Sequence, residues 1–100
     1  MSDEISKTVT ESWTWFTDYV GGKGDWTVHC PSDRKCQVGM GVKAFGEPRG
    51  EKLSFQGTTR FTAFGLGAIH VKVIDGKGSC TVRLDEGHVD PVTIFKMTAP

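Results

Sequence analysis

The stretch AIHVKVIDGKGSCTVRLD, residues 68–85, carries the clearest structural pattern in the chain. Apolar side chains alternate with polar ones on both sides of the turn-forming segment DGKG, residues 75–78. Alternation with a period of two is typical of β-strands, because successive strand side chains point to opposite faces. The pattern therefore predicts two strands, and the short segment between them predicts that they pair as a β-hairpin.

The turn of this hairpin determines which side chains would face each other. Gly76-Lys77 suit the central positions of a type II′ turn, which requires glycine first. That turn would place Val73 opposite Cys80. The apolar side chains that then share one face are Ile69, Val71, Val73, Cys80, Val82 and Leu84. A shift of one residue would turn this face to solvent, so burial and turn chemistry specify the same register.

Other parts of the chain repeat the strand pattern. Alternating or apolar segments occur at residues 26–30, 36–44, 53–61 and 92–95. Proline- and glycine-containing turn sequences separate the first three of them. Together with the two strands of the hairpin, these segments predict an antiparallel meander of about six strands.

The N-terminal segment, residues 3–20, carries a different pattern. Its apolar residues recur at spacings of four, four, three and four, at Ile5, Val9, Trp13, Phe16 and Val20. This spacing predicts a helix, which would cross the sheet where Gly39 and Gly41 leave one face without side-chain bulk. The predicted class is therefore α+β, with one N-terminal helix packed on a curled antiparallel meander sheet. The threonines of this segment and Trp15 favour a strand instead, and the alternative is an all-β sandwich or small barrel.

Length and composition narrow the classes of protein. One hundred residues suit a single domain, residues 1–100. Twelve basic and 12 acidic residues cancel and are dispersed, which argues against nucleic acid or an anionic membrane as the partner. No apolar run is long enough for a membrane span, and the polar N-terminus lacks the profile of a signal peptide. We therefore expect a soluble, cytoplasmic protein.

Metal, cofactor and catalytic motifs are weak in this sequence. Cys30, Cys36 and Cys80 are expected to be reduced and buried, although a disulfide between the first two is an alternative because they flank a turn. Their C-x₅-C spacing is not that of a zinc site. Residues 85–90, DEGHVD, combine three carboxylates with an imidazole, but we expect a solvated loop there. The sequence therefore predicts no metal, no cofactor and no enzyme activity.

Surplus aromatic side chains predict a binding role. A helix cannot bury Trp13, Trp15 and Phe16 on one stripe, so we expect Trp15 to be exposed. Phe45 falls out of phase with the buried set, and Arg49 lies in a loop that would project from the sheet. Exposed aromatic and arginine side chains anchor protein interfaces. We expect a small non-enzymatic protein of the inhibitor, immunity or assembly-factor type, which contacts a partner protein through Trp15, Phe45 and Arg49.

A second hypothesis is a carrier or sensor of a small apolar ligand, held between the helix and the curled sheet. Such clefts are common binding sites, and the glycines of the second strand would leave room for a ligand. The residues expected to line the site are Trp13, Phe16, Met40, Phe55 and Val71.

Overall fold

A computed structural model describes residues 4–41, 44, 46–49 and 52–90, with the backbone alone at residues 17–24, 63–67 and 86–90. These residues form six β-strands: β1 (Glu4–Val9), β2 (Thr14–His29), β3 (Lys35–Gly41), β4 (Lys52–Gln56), β5 (Thr58–Val73) and β6 (Cys80–Asp90). About six strands were expected, but the set differs, because β1 lies in the segment predicted to be a helix. The strand expected at residues 92–95 lies outside the described residues, and residues 85–90 continue β6 rather than form a loop.

The predicted N-terminal helix is wrong, and the α+β class with it. Residues 4–9 and 14–20 are strands, and the described residues contain no α-helix. Trp15 is 39% exposed whereas its neighbour Phe16 is buried, as alternation in a strand requires. The helical spacing arises by coincidence. Residues 10–13 separate the two strands, so the alternation of inward and outward side chains in the second strand does not continue that of the first. The protein is all-β in the described residues, which agrees with the stated alternative.

The strand order is β1-β6-β2-β5-β3-β4, and every pair is antiparallel. Only β3 and β4 are neighbours both in sequence and in the sheet, so the predicted meander is also wrong. The long strands β2 and β5 pair along their length, with register shifts in β2 between Trp15 and Asp18 and between Gly21 and Lys23. Such irregularities bend a strand and increase its twist.

The two long strands divide the sheet into two four-stranded layers. The first layer contains β1, β6, the C-terminal half of β2 and the N-terminal half of β5. The second layer contains β4, β3, the C-terminal half of β5 and the N-terminal half of β2. One apolar cluster joins them. The first layer contributes Val9, Trp26, Val28, Val82 and Leu84, and the second contributes Phe16, Cys36, Val38, Ile69, Val71 and Val73.

The predicted hairpin between β5 and β6 does not form. β5 pairs with β2 and β3, and β6 pairs with β1 and β2, so residues 74–79 cross from the second layer to the first. Val73, Val82 and Leu84 nevertheless face the core as predicted, and Cys80 packs against it. The alternation determined the inward face of each strand, but both neighbours of β5 come from elsewhere in the chain.

The face of β3 that carries Gly39 and Gly41, and therefore lacks side-chain bulk, is covered by a turn of the chain itself. A Cβ atom added to Gly39 would lie 2.7 Å from Pro48 Cβ. One added to Gly41 would lie 2.7 Å from both Glu47 O and Pro48 Cα. The close approach predicted at these glycines is therefore confirmed, but the turn at residues 46–49 makes it in place of a helix.

Candidate functional site

The outer face of the second layer gathers most of the residues expected to bind. Cross-strand partners share a face, and the register pairs Trp15 with His70, His70 with Gly39, and Gly39 with Lys52. These four positions therefore form one row across β2, β5, β3 and β4. Trp15 is exposed at one end of the row, as the sequence predicted, and Lys52 is exposed at the other.

The turn over β3 brings Arg49 to the same face. Pro48 is buried on Gly39, and the backbone nitrogen of Arg49 lies 3.0 Å from the position of a Cβ on Gly41. The Arg49 side chain is exposed. Two of the three predicted contact residues, Trp15 and Arg49, thus lie on one surface, and Phe45 lies outside the described residues.

Two lysines hold the tryptophan rings of this face. Lys7, from the first layer, places its Nζ 4.3 Å from the ring centroid of Trp15 and donates a hydrogen bond to Trp15 O at 2.8 Å. Lys72 places its Nζ 4.8 Å from the ring centroid of Trp13. Both distances allow cation–π attraction, which orients the rings and keeps the ammonium groups at the surface. The helix prediction concealed this arrangement, because it separated residues 3–20 from the strands.

The charges of the two layers differ. At strand positions on the outer face of the second layer, the described side chains include Lys35, Lys52 and Lys72 and no carboxylate. Arg49 adds a fourth cation from the turn, and Glu47, also in the turn, is the acidic residue beside it. The outer face of the first layer mixes both signs. Its charged residues and its histidine are Glu4, Asp25, His29, Arg60, Arg83 and Asp85. We name the outer face of the second layer, with Trp13, Trp15, Lys72, Lys52 and Arg49, the basic aromatic face.

His70 lies buried in the middle of the basic aromatic face. Its Nδ1–H donates a hydrogen bond to Ala68 O at 2.9 Å, while its Nε2 has no hydrogen-bond partner among the described residues. Burial lowers the pKa of His70, and the bond to Ala68 offsets only part of that shift. His70 is therefore neutral at neutral pH, and it is the cross-strand partner of Trp15.

Asp85 and His70 lie on different layers. Asp85 Oδ2 instead accepts a hydrogen bond from His29 Nε2 at 2.8 Å, and its Oδ1 lies 3.3 Å from Arg83 Nε. His29 and Asp85 are 56 residues apart in sequence, and only the pairing of β2 with β6 brings them together. The part of the chain that the structure describes holds no cluster of three or more His, Cys, Asp or Glu side chains placed to bind a metal ion.

The three cysteines converge at one end of the core. Cys30 and Cys36 share a hydrogen bond with their Sγ atoms 3.0 Å apart, and both are free thiols. The shared bond and burial raise the pKa of the Cys36 thiol far above its usual value. Cys80 lies near enough to Cys36 that each affects the pKa of the other, and burial raises the pKa of the Cys80 thiol. Cys36 and Cys80 are therefore thiols rather than thiolates at neutral pH.

The proposed ligand-lining residues do not enclose a cleft between helix and sheet. Phe16 and Val71 belong to the core between the two layers, and Met40 and Phe55 pack against that core. Trp13 instead lies on the basic aromatic face with Lys72. The described residues include no helix that could close the expected cleft.

No protein-family model matches the chain, and no curated protein matches it significantly. The described residues contain no helix long and apolar enough to cross a membrane.

Proposed function

We propose that this protein is a non-enzymatic binding module, of the inhibitor, immunity or assembly-factor type, whose basic aromatic face holds an acidic segment of a partner protein. A single observation carries the proposal: exposed Trp15 lies on the same face as Arg49 and the lysines at positions 52 and 72. Tryptophan and arginine are the residue types that most often dominate the energy of protein interfaces.

The chemistry of the face favours carboxylates on the partner. The guanidinium of Arg49 suits bidentate contact with a carboxylate, and the ammonium groups of Lys52 and Lys72 supply further attraction and speed the encounter. The Trp15 ring supplies apolar contact area at low entropic cost, because Lys7 already restrains it. An acidic segment that also carries an apolar side chain matches both properties.

A protein partner fits the charge better than a nucleic acid does. The chain has no net charge, and the outer face of the first layer is of mixed sign. Binding of a polyphosphate strand rests on many cations that follow the backbone. The described side chains of this face instead combine four cations with two tryptophans. Three free thiols suit a reducing compartment, and the proposal places the protein in the cytoplasm.

The test uses defined probes and the isotope-labelled full chain. Three pools of random peptides, rich in Asp and Glu, rich in Lys and Arg, or uncharged, are titrated while backbone amide NMR shifts are followed. A ten-nucleotide oligothymidine is titrated in parallel. The acidic pool is expected to bind and to shift the amides of Trp15, Arg49 and Lys72. Equal binding of the three pools, tighter binding of the oligonucleotide, or shifts confined to the first layer would each reject the proposal.

Matched variants locate the interface. Arg49→Glu is expected to weaken binding of the acidic pool at least about tenfold, which is the range of interface anchors. Arg60→Glu makes the same charge change at an exposed position of the first layer and is expected to leave affinity within about twofold. Trp15→Ala separates ring contact from charge, and is expected to weaken binding while leaving its salt dependence unchanged. Equal effects of the two arginine variants would contradict the assignment of the face.

A further inference from the structure

The three cysteines form a chain of adjacent thiols that differ in exposure. Cys30 follows β2 directly, Cys36 lies in β3, and Cys80 begins β6. The middle thiol, Cys36, shares a hydrogen bond with Cys30 and lies near enough to Cys80 that each of these two thiols affects the pKa of the other. Cys30 and Cys36 are buried, whereas Cys80 is partly exposed. A reagent from solution therefore reaches Cys80 more readily than the buried pair.

The backbone on both sides of the buried pair is fixed by hydrogen bonds. Cys30 N donates to Gly57 O at 3.0 Å, Gly57 N donates to Arg34 O at 3.1 Å, and Arg34 N donates to Pro31 O at 3.0 Å. The Sγ atoms of Cys30 and Cys36 already lie 3.0 Å apart. A disulfide requires about 2.05 Å, so a small rotation of the two side chains suffices to form one. The resulting bond would join the first layer to the second.

We propose that these thiols are a redox site that small-molecule disulfides of the glutathione type oxidise, with Cys80 as the attacking thiol and a Cys30–Cys36 disulfide as the product. First, the Cys80 thiolate attacks the disulfide; a mixed disulfide forms and one small thiol leaves. Cys36 then attacks the Cys80 sulfur, forms a Cys36–Cys80 disulfide and releases the second small thiol. Finally, Cys30 attacks Cys36, and Cys80 leaves and regains a proton. Two protein thiols are oxidised, and one disulfide is reduced to two thiols.

The final bond is expected between Cys30 and Cys36 for two reasons. Their sulfurs are in direct contact, and both side chains are more deeply buried than that of Cys80. A buried disulfide resists attack by external thiols, so the last exchange removes the bond from the reach of solvent. The exchange steps are slow at neutral pH, because only a thiolate attacks: the bond to Cys30 and burial raise the pKa of Cys36, and burial raises the pKa of Cys80. Arg34, Asp75 and Cys36 are the charged and titratable groups that act on it.

The experiment is oxidation of the reduced full chain with excess oxidised glutathione, followed by rapid alkylation and peptide mapping by mass spectrometry. The expected product is one intramolecular disulfide between Cys30 and Cys36, with Cys80 alkylated. Its rate is expected to rise with pH between 7 and 9, because the thiolate fractions of Cys80 and Cys36 rise. A product that joins any other pair, or persistence of a mixed disulfide alone, would overturn the proposal.

Alanine variants separate the three steps, with circular dichroism confirming that each is folded. Cys80→Ala is expected to slow formation of the Cys30–Cys36 bond at least about tenfold, because attack must then occur at a buried thiol. Cys30→Ala is expected to stop at the Cys36–Cys80 bond, and Cys36→Ala at the mixed disulfide of Cys80. An unchanged rate in Cys80→Ala would show that Cys80 is not the attacking group. The mapping of the unsubstituted protein decides the product even if a variant does not fold.

Discussion

Arg34 and Asp75 form a two-point ion pair that ties the turn after β2 to the crossing between β5 and β6. Arg34 Nε lies 2.7 Å from Asp75 Oδ2, and Nη2 lies 3.2 Å from Oδ1. The same guanidinium donates to the carbonyls of Ser79, at 3.2 Å, and of Gly78. Asp75 also accepts hydrogen bonds from the backbone nitrogens of Lys35 and Lys77. This network replaces the hairpin turn that the sequence predicts.

Asp75→Asn is expected to destabilise the protein at pH 7 and to have a diminishing effect in acid. Arg34 holds the pKa of Asp75 well below its usual range, so the folded protein keeps this carboxylate ionised where the unfolded chain protonates it. The ion pair therefore contributes its full stabilisation above about pH 3.9, the pKa of an aspartate in the unfolded chain. This stabilisation is lost as pH falls toward the lower pKa that Asp75 has in the folded protein. Urea unfolding of both proteins from pH 7 to pH 2 measures the difference.

Asp33→Asn is the matched control for this comparison. Asp33 is an exposed carboxylate in the turn next to Arg34. Its substitution is expected to change stability by less than about 0.5 kcal/mol, as for ordinary surface positions. A stability difference between Asp75→Asn and the unsubstituted protein that stays constant down to pH 2 would show that the ion pair is not its source.

Gly41→Ala is expected to destabilise the protein by about 1–3 kcal/mol. The new methyl group would lie 2.7 Å from backbone atoms of Glu47 and Pro48, and backbone cannot rotate away as a flexible side chain does. The turn that presents Arg49 must therefore shift. Thermal or urea unfolding measures the loss, and Ser54→Ala, at an exposed position of the same face, serves as the control. An equal effect of both substitutions would mean that the turn does not pack on Gly41.

Acid is expected to destabilise the protein through His70, and His70→Phe is expected to reduce that dependence. Burial lowers the pKa of His70 in the folded protein. In mild acid, His70 is therefore protonated in the unfolded chain but not in the folded protein. This loss of unfolding free energy is absent above about pH 6.5, the pKa of the histidine in the unfolded chain. It grows as pH falls, with a limiting slope of about 1.4 kcal/mol per pH unit. Unfolding free energies at pH 7 and pH 5 measure it. Identical losses in both proteins would assign the pH dependence to other groups.

Oxidation of the Cys30–Cys36 pair is expected to raise the free energy of unfolding by about 2 kcal/mol, on the chain-entropy account of a short closed loop. The closed loop would span residues 30–36 and join the two layers. On this account the stabilisation arises mainly because the disulfide restricts the conformations of the unfolded chain. Urea unfolding of the oxidised and reduced forms measures it. A lower stability of the oxidised form would mean that the bond strains the end of the core.

The binding residues were predictable only in part. Exposure of Trp15 followed from the crowding of three large rings at residues 13–16, and that part is confirmed. Its place on the same face as Arg49 depends on the pairing of β2 with β5 and of β5 with β3, which joins residues far apart in sequence. The outward position of Lys72 was predictable, because it alternates with inward-facing valines. The contact of Lys7 with Trp15 was not predictable, because the segment that contains Lys7 was predicted to be a helix.

The sequence by itself determined which side chains of β3, β5 and β6 face the core, because alternation of apolar and polar residues is a local property of a strand. It also determined that something must approach Gly39 and Gly41 closely. Only the tertiary structure decided the partners of each strand, the bend that divides the sheet into two layers, and the meeting of Cys30 with Cys36. Backbone hydrogen bonds carry no residue code, so the choice among neighbours rests on how the whole set of strands buries its apolar faces together.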